Sequence, residues 1–325
     1  MDRLVVLPEA RDYIIENGNV VLSGRLANKE ELKNMNLPKD AYGGVKMFKK
    51  ILLATDFSHC AEQLWNCVDE LKELGMEEVL IVHIAPLMSG GRSQDQAREA
   101  LDVKKAELES RGISARSIVR VGLPAHEIND IAVKEQADLI LVGAKGENRI
   151  RDIFLGSTVW DLIRTSRNPV LIEKFLMENN KCVAVCTKKF RRVLLPIDFS
   201  EDSLRVYSLF INKLAGRVEE AVLIHVVDKG NTEEVVEKQK DEAFDRLTAL
   251  RQNLEDAGVK TEIRVRIGMP ARKIAEIAEE DNVSLVMMAT RGAGSIRELF
   301  VGSTAENVIR DSIRPVLLFP ASNRK

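Results

Sequence analysis

Charge of one sign is missing from this chain. Its 325 residues set 48 Lys and Arg against 50 Asp and Glu, leaving −2 with histidine neutral. That balance excludes the basic footprint of a nucleic-acid binder or of a protein held on anionic membrane. No stretch approaches the ~20 apolar residues of a membrane helix. The amino terminus, MDRLVVLPEARDYII, lacks a basic segment followed by a sustained apolar run, so no signal peptide is read and the cytoplasm is the expected location. Aromatics are scarce at 5%, so the cores should be aliphatic. Four cysteines are too few for a disulfide framework in a chain this long. Cys60 and Cys67 lie seven apart on an expected helix, hence on one face, and are expected as buried thiols. Cys182 and Cys186 lie four apart in a central linker with no Cys or His cluster beside them, which argues against metal or redox use.

What the chain has is repetition. KKILLATDFSHCAEQLW (49–65) recurs as RRVLLPIDFSEDSLRVY (191–207), and VLIVHI (79–84) as AVLIHV (221–226), both displaced by 142 residues. RVGLPAHEINDIA (120–132) then matches RIGMPARKIAEIA (266–278) at a displacement of 146, and the end of each copy keeps that offset. A four-residue insertion between His225 and Gly258 accounts for the change. Two copies of one domain follow, 47–175 and 190–320, with a linker at 176–189 and an extension at 1–46 that belongs to neither. In the extension, RLVVLP and NVVLSGRL suit strands around an ENGN turn, and NKEELKNM a short helix. The linker's KCVAVC is also strand-like.

Within copy one, near-continuous aliphatic runs at 51–55, 79–84, 116–121, 138–143 and 170–173 suit parallel strands buried on both faces. Between them, SHCAEQLWNCVDELKELG carries apolar residues at helical spacing, with Ser58 as N-cap and Gly75 as stop. DQAREALDVKKAELESRG and PAHEINDIAVKEQ read as helices too, the second with Pro in its first turn. The alternation predicts α/β domains with doubly wound parallel sheets.

The stretch GAKGENRIRDIFLGS (143–157) joins the fourth strand to a helix. Strand ends at a reversal of strand order are where such sheets bind ligands, and a Gly-Ser helix start offers free N–H groups to an anion. A plain reading stays open: Gly156 and Gly302 turn the chain, with Ser157 and Ser303 as N-caps. Neither the GK[ST] triplet of the Walker loop nor the dinucleotide fingerprint after the first strand is present.

These residues resemble the universal stress protein superfamily in its tandem form. The resemblance rests on TDFS and IDFS after strand one, VHI and IHV at strand two, and the terminal G-x2-G-x9-G-[ST] followed by NPVLI or RPVLLF. It implies five-stranded sheets in the order 3-2-1-4-5, their last strands pairing antiparallel to give an internal pseudo-dimer, and it leaves room for a homodimer of chains. It also implies ATP or AMP as ligand, any Mg2+ being held through the phosphates alone. Carried over by position, Ala54, Thr55 and Asp56 would meet adenine or ribose, Ile84 and Val142 would line the adenine pocket, and Gly143 would approach the ribose. Gly146, Gly156, Ser157 and Thr158 would hold phosphates. Copy two supplies Pro196, Asp198, Val226, Gly292, Gly302, Ser303 and Thr304, but has Ala289 for the first motif glycine, so copy one is expected to be the better site.

Other chemistry has little support. Asp56 and Asp198 could serve as bases, but ribose bonding or helix capping explains them as well. His83 and His225 sit in apolar strands, as satisfied core histidines do. His59 and His126 have no counterparts in copy two, no Ser–His–Asp set repeats and no carboxylate pair stands out. Trp160 is expected near the junction of the copies. The reading is a regulatory nucleotide-binding protein acting on an unidentified protein partner. A scaffold with empty clefts is the alternative, and a slow ATPase or nucleotide hydrolase the third reading.

Overall fold

A computed structural model describes residues 13–16, 19–22, 25–26, 47–87, 91–144, 156–179, 181–228, 232–292 and 301–321. Strands β1 (Tyr13–Glu16), β2 (Asn19–Leu22) and β3 (Arg25–Leu26) form a small antiparallel sheet in the extension. The strand expected at RLVVLP and the helix expected at NKEELKNM lie outside the described residues.

Copy one follows with β4 (Lys50–Ala54), α1 (Trp65–Glu73), β5 (Glu78–Ala85), α2 (Gly91–Ser110), β6 (Ser114–Val121), α3 (Pro124–Lys134), β7 (Leu139–Gly143), α4 (Ser157–Thr165) and β8 (Val170–Glu173). The linker folds into a hairpin, β9 (Phe175–Glu178) with β10 (Lys181–Ala184). Copy two repeats the series with β11 (Arg192–Pro196), α5 (Glu201–Lys213), β12 (Glu220–Val227), α6 (Glu233–Asp256), β13 (Lys260–Ile267), α7 (Pro270–Glu280), β14 (Leu285–Ala289), α8 (Ser303–Asp311) and β15 (Val316–Phe319).

All ten strands of the copies make one sheet, in the order β13-β12-β11-β14-β15-β8-β7-β4-β5-β6. Each half is parallel and ordered 3-2-1-4-5, and the halves meet where β15 runs antiparallel to β8. The central strands are buried on both faces, which is why they read as unbroken aliphatic runs. Side chains alternate across the sheet. Leu53, Leu141 and Leu195 feed a layer packed under α1, α2, α5 and α6, while Leu52, Ile140 and Leu194 feed one under α3, α4, α7 and α8. Both layers run through the two halves without a break.

The cysteine expectation needs correction. Cys60 is bonded to Cys182 in β10, their Cα atoms 5.1 Å apart, while Cys67 is a buried free thiol. The regular helix starts only at Trp65. Ala61–Leu64 form a 3-10 turn, whose tighter winding takes Cys60 off the face that Cys67 shares. The linker hairpin is thereby stapled to the segment that follows β4. Beneath it, Lys189 Nζ lies 3.0 Å from Glu173 and 3.4 Å from Glu70, and the Cys67 thiol donates to Glu173 at 3.1 Å. Burial works against the Lys189 ammonium, but the surrounding Glu173, Cys67 and Glu70 outweigh it and hold its pKa well above the ordinary lysine range. Copy two has Leu209, Asn212 and Phe319 in place of Cys67, Glu70 and Glu173, so this polar cluster belongs to copy one alone.

Candidate functional site

Strand order reverses between β11 and β14, and a cleft of about 810 Å³ opens there at their carboxyl ends. Pro196, Asp198, Val226, Gly292, Gly302, Ser303 and Thr304, picked out one by one from the sequence, all line it. So do the apolar Ile224 and Met288, the buried Thr290, and Asp228, Pro270 and Arg291. Thr290 could not be singled out from the sequence, because its counterpart in copy one is Ala144. Pro270 had a signal, as its GMPA segment repeats GLPA of copy one.

The acid at the strand tip is held by a turn built alike in both halves. Phe199 and Phe57 take left-handed backbone (φ 62° and 58°), which is unfavourable for a phenylalanine. His225 and His83 explain how the turn persists. Each stacks on its phenylalanine, with ring centres 4.9 and 4.6 Å apart, and each Nδ1 bonds a backbone carbonyl, Ile197 at 2.7 Å or Thr55 at 2.9 Å. The aspartate then accepts from the serine two residues on: Asp198 Oδ1 from Ser200 N–H at 3.0 Å, Asp56 Oδ1 from Ser58 N–H at 2.9 Å. The two core histidines are satisfied, as expected, and they also fix the direction of the acidic loop.

Helices α4 and α8 begin without a side-chain cap. Gly156 and Gly302 are themselves the N-caps, in extended backbone, and Ser157 and Ser303 stand one position inside, so the capping role expected for the serines is not what the structure shows. First-turn N–H groups of a helix lack intrahelical acceptors. In copy two the start of α8 lines the cleft, at the positive end of the helix dipole. Thr290 lies beside the start of α8, its carbonyl accepting from Gly302 N–H at 2.7 Å, and its hydroxyl is buried with no hydrogen-bond partner among the described residues. A Cβ on Gly292 would run into the Asp198 carboxylate, so a side chain there would have to displace that acid.

In copy one, Ala54 ends β4, Thr55 and Asp56 follow it, Ile84 lies in β5, and Val142 and Gly143 end β7. Gly156, Ser157 and Thr158 open α4, while Gly146 lies outside the described residues. Packing within the protein also favours glycine at position 143. A Cβ there would sit 2.8 Å from the Phe175 ring of the linker hairpin. Copy two has Ala321 in place of Phe175, so Ala289 fits, buried at 5% exposure and outside the left-handed backbone region. The protein's own packing and backbone therefore accept the departure from the motif in copy two.

A sequence model of the universal stress protein family matches residues 47–174 and again 189–320. The chain belongs to the universal stress protein family. Among individual relatives, the universal stress protein MJ0577 of Methanocaldococcus jannaschii is 32% identical over 155 residues, which is 39% of this chain and 96% of that protein. Universal stress protein Slr1230 of Synechocystis is 26% identical over 251 residues, 76% of this chain and 80% of its own length, consistent with a tandem arrangement. A crystal structure of a universal stress protein from Archaeoglobus fulgidus superposes with a TM-score of 0.63 at 26% identity, covering 84% of this chain and 98% of that one. Like the fold, then, the doubled domain is a universal stress protein feature.

Proposed function

We propose that this universal stress protein is a regulatory adenine-nucleotide-binding protein, taking ATP or AMP in the cleft of each half. The observation that carries the reading is the copy-two cleft, which combines an apolar wall, an acid at a strand tip and an uncapped helix start. Adenine would rest against Ile224, Val226 and Met288, and the Asp198 carboxylate would accept from ribose hydroxyls. Phosphates would sit against Gly302, whose own N–H is taken by the Thr290 carbonyl at 2.7 Å, and on the first-turn N–H groups of Ser303 and Thr304, where the helix dipole favours negative charge. Ala54, Thr55, Asp56, Ile84, Val142, Gly143, Gly146, Gly156, Ser157 and Thr158 take the same parts in copy one. The orphaned Thr290 hydroxyl supports a polar ligand group in copy two, since a buried hydroxyl without a partner is costly.

No group of three or more His, Cys, Asp or Glu side chains gathers to hold a metal among the described residues. In this reading any Mg2+ would arrive with the phosphates. The nucleotide would act by tightening the helix start against the strand tips, a change that a protein partner can read.

Calorimetry on nucleotide-stripped protein tests this. ATP or AMP should bind, and Asp198→Ala and Gly302→Val should each weaken the copy-two site by about tenfold or more. No heat from either nucleotide up to millimolar concentration would mean that the reading is wrong.

A further inference from the structure

At the pole of copy two opposite its cleft, a groove of about 250 Å³ lies between the linker, the turn after α7 and the segment leading into β15. Its walls carry Lys188, Arg191 and Arg314, together with Asn282, Ser284 and the half-buried thiol of Cys186, and no carboxylate lines it among the described residues. Neighbouring cations are neutralised: Lys189 pairs with Glu173, and Arg192 with Glu220 and Glu262. Lys188 and Arg191 make no ion pair among the described residues. The Arg314 guanidinium bonds the neutral Asn282 Oδ1 at 2.9 Å, and its Nε is buried without an acceptor among the described residues.

Copy one is an internal control. Gln136 and Asn282 hold the same left-handed turn (φ 55° and 47°), so the backbones match. Side-chain chemistry differs. In copy one Asp138 Oδ2 accepts from the Lys49 and Lys50 N–H groups at 2.9 and 2.8 Å, and Asn168 Nδ2 donates to Ala137 O at 2.5 Å. In copy two Ser284 replaces Asp138, its hydroxyl accepting from Arg192 N–H at 2.7 Å, and Arg314 replaces Asn168. An anion has gone and a cation has come at the same two positions. Three cations thus line one groove that has no carboxylate among its described lining residues, and an oxyanion there would attract all three while accepting charge-assisted hydrogen bonds.

We infer that this groove is a second ligand site, distinct from the clefts, for a small phosphate-type oxyanion such as pyrophosphate. Its size suits that class, at under a third of the volume of the nucleotide-sized cleft. The site is also independent of nucleotide binding, because it lies at the amino ends of β11, β14 and β15 and the cleft at their carboxyl ends.

Cys186 in the groove wall is a built-in reporter. The full chain is alkylated with neutral iodoacetamide, and labelling of Cys186 is followed by peptide-resolved mass spectrometry during pyrophosphate titration at low ionic strength. Millimolar pyrophosphate should slow labelling by about fivefold or more, whereas sodium chloride at matched ionic strength should not. The double variant S284D/R314N, which installs the copy-one residues, should lose the protection, and R314K should keep part of it. If the double variant melts early, Lys188→Gln with Arg191→Gln, both on exposed side chains, tests the same point. Absence of protection in the parent chain, or equal protection in a folded variant, overturns the site.

Discussion

Gly143 and Ala289 hold the same place in the two halves, yet only one of them can carry a methyl group. Phe175 occupies the space beside Gly143, and a buried ring has little room to retreat. Gly143→Ala should therefore destabilise the protein by about 1–3 kcal/mol, read as a fall in melting temperature. Ala289→Gly should cost no more than about 1 kcal/mol. Equal losses in the two variants would contradict the packing argument. Lys174 poses a different question at the same scale. It is fully buried, with Nζ on the Ile309 carbonyl near the end of α8. Burial drives its pKa down to about 7, against the opposing pull of Asp311. Below pH 7 both folded and unfolded chains carry the charge, so the full cost of burying it is present. Between about 7 and the ordinary lysine value, the unfolded chain binds more protons, and stability rises with pH. Lys174→Met should then be more stable than the parent at pH 6, by about 1–4 kcal/mol. That advantage should close toward pH 10, as denaturant melts at several pH values would show.

Among the elements, the linker hairpin sets copy one apart from copy two. Its strand character was legible in KCVAVC, as were the helices and strands on either side, because aliphatic runs and helical spacing are local signals. The bond from Cys60 to Cys182 was not, since 122 residues separate the pair and sequence distance says nothing about contact. The 3-10 turn that sets Cys60 off the helix face leaves no composition signal either. Nor does the sequence announce the reason for Gly143, because Phe175 lies outside the motif that contains the glycine. Cys182→Ser, or reduction, should cost about 2–4 kcal/mol of stability. It should also raise hydrogen exchange in Phe175–Glu178 and Lys181–Ala184, while β12 and β13 stay as they were. Unchanged exchange in the hairpin would show that the staple does not hold it.

At the scale of the whole molecule, two copies share one ten-stranded sheet through the antiparallel seam of β8 and β15, so their cores are continuous. The repeat made the doubled fold legible, and strand order came with the family resemblance. The cleft residues of copy two were legible as a set, because motif positions flank strand ends that the parallel sheet must bring together. Less legible was the balance between the copies. A methyl group at residue 289 reads as a defect in the motif, and only its surroundings show that the protein's own packing and backbone accept it. The central claim, nucleotide binding in the clefts, is tested most directly by hydrogen exchange on the full, nucleotide-stripped chain with and without saturating ATP. Slower exchange is predicted at the strand tips around Asp198 and Asp56 and at the starts of α8 and α4, with the outer strands β6 and β13 unchanged. Exchange that ATP leaves unaltered at all four places would contradict the account.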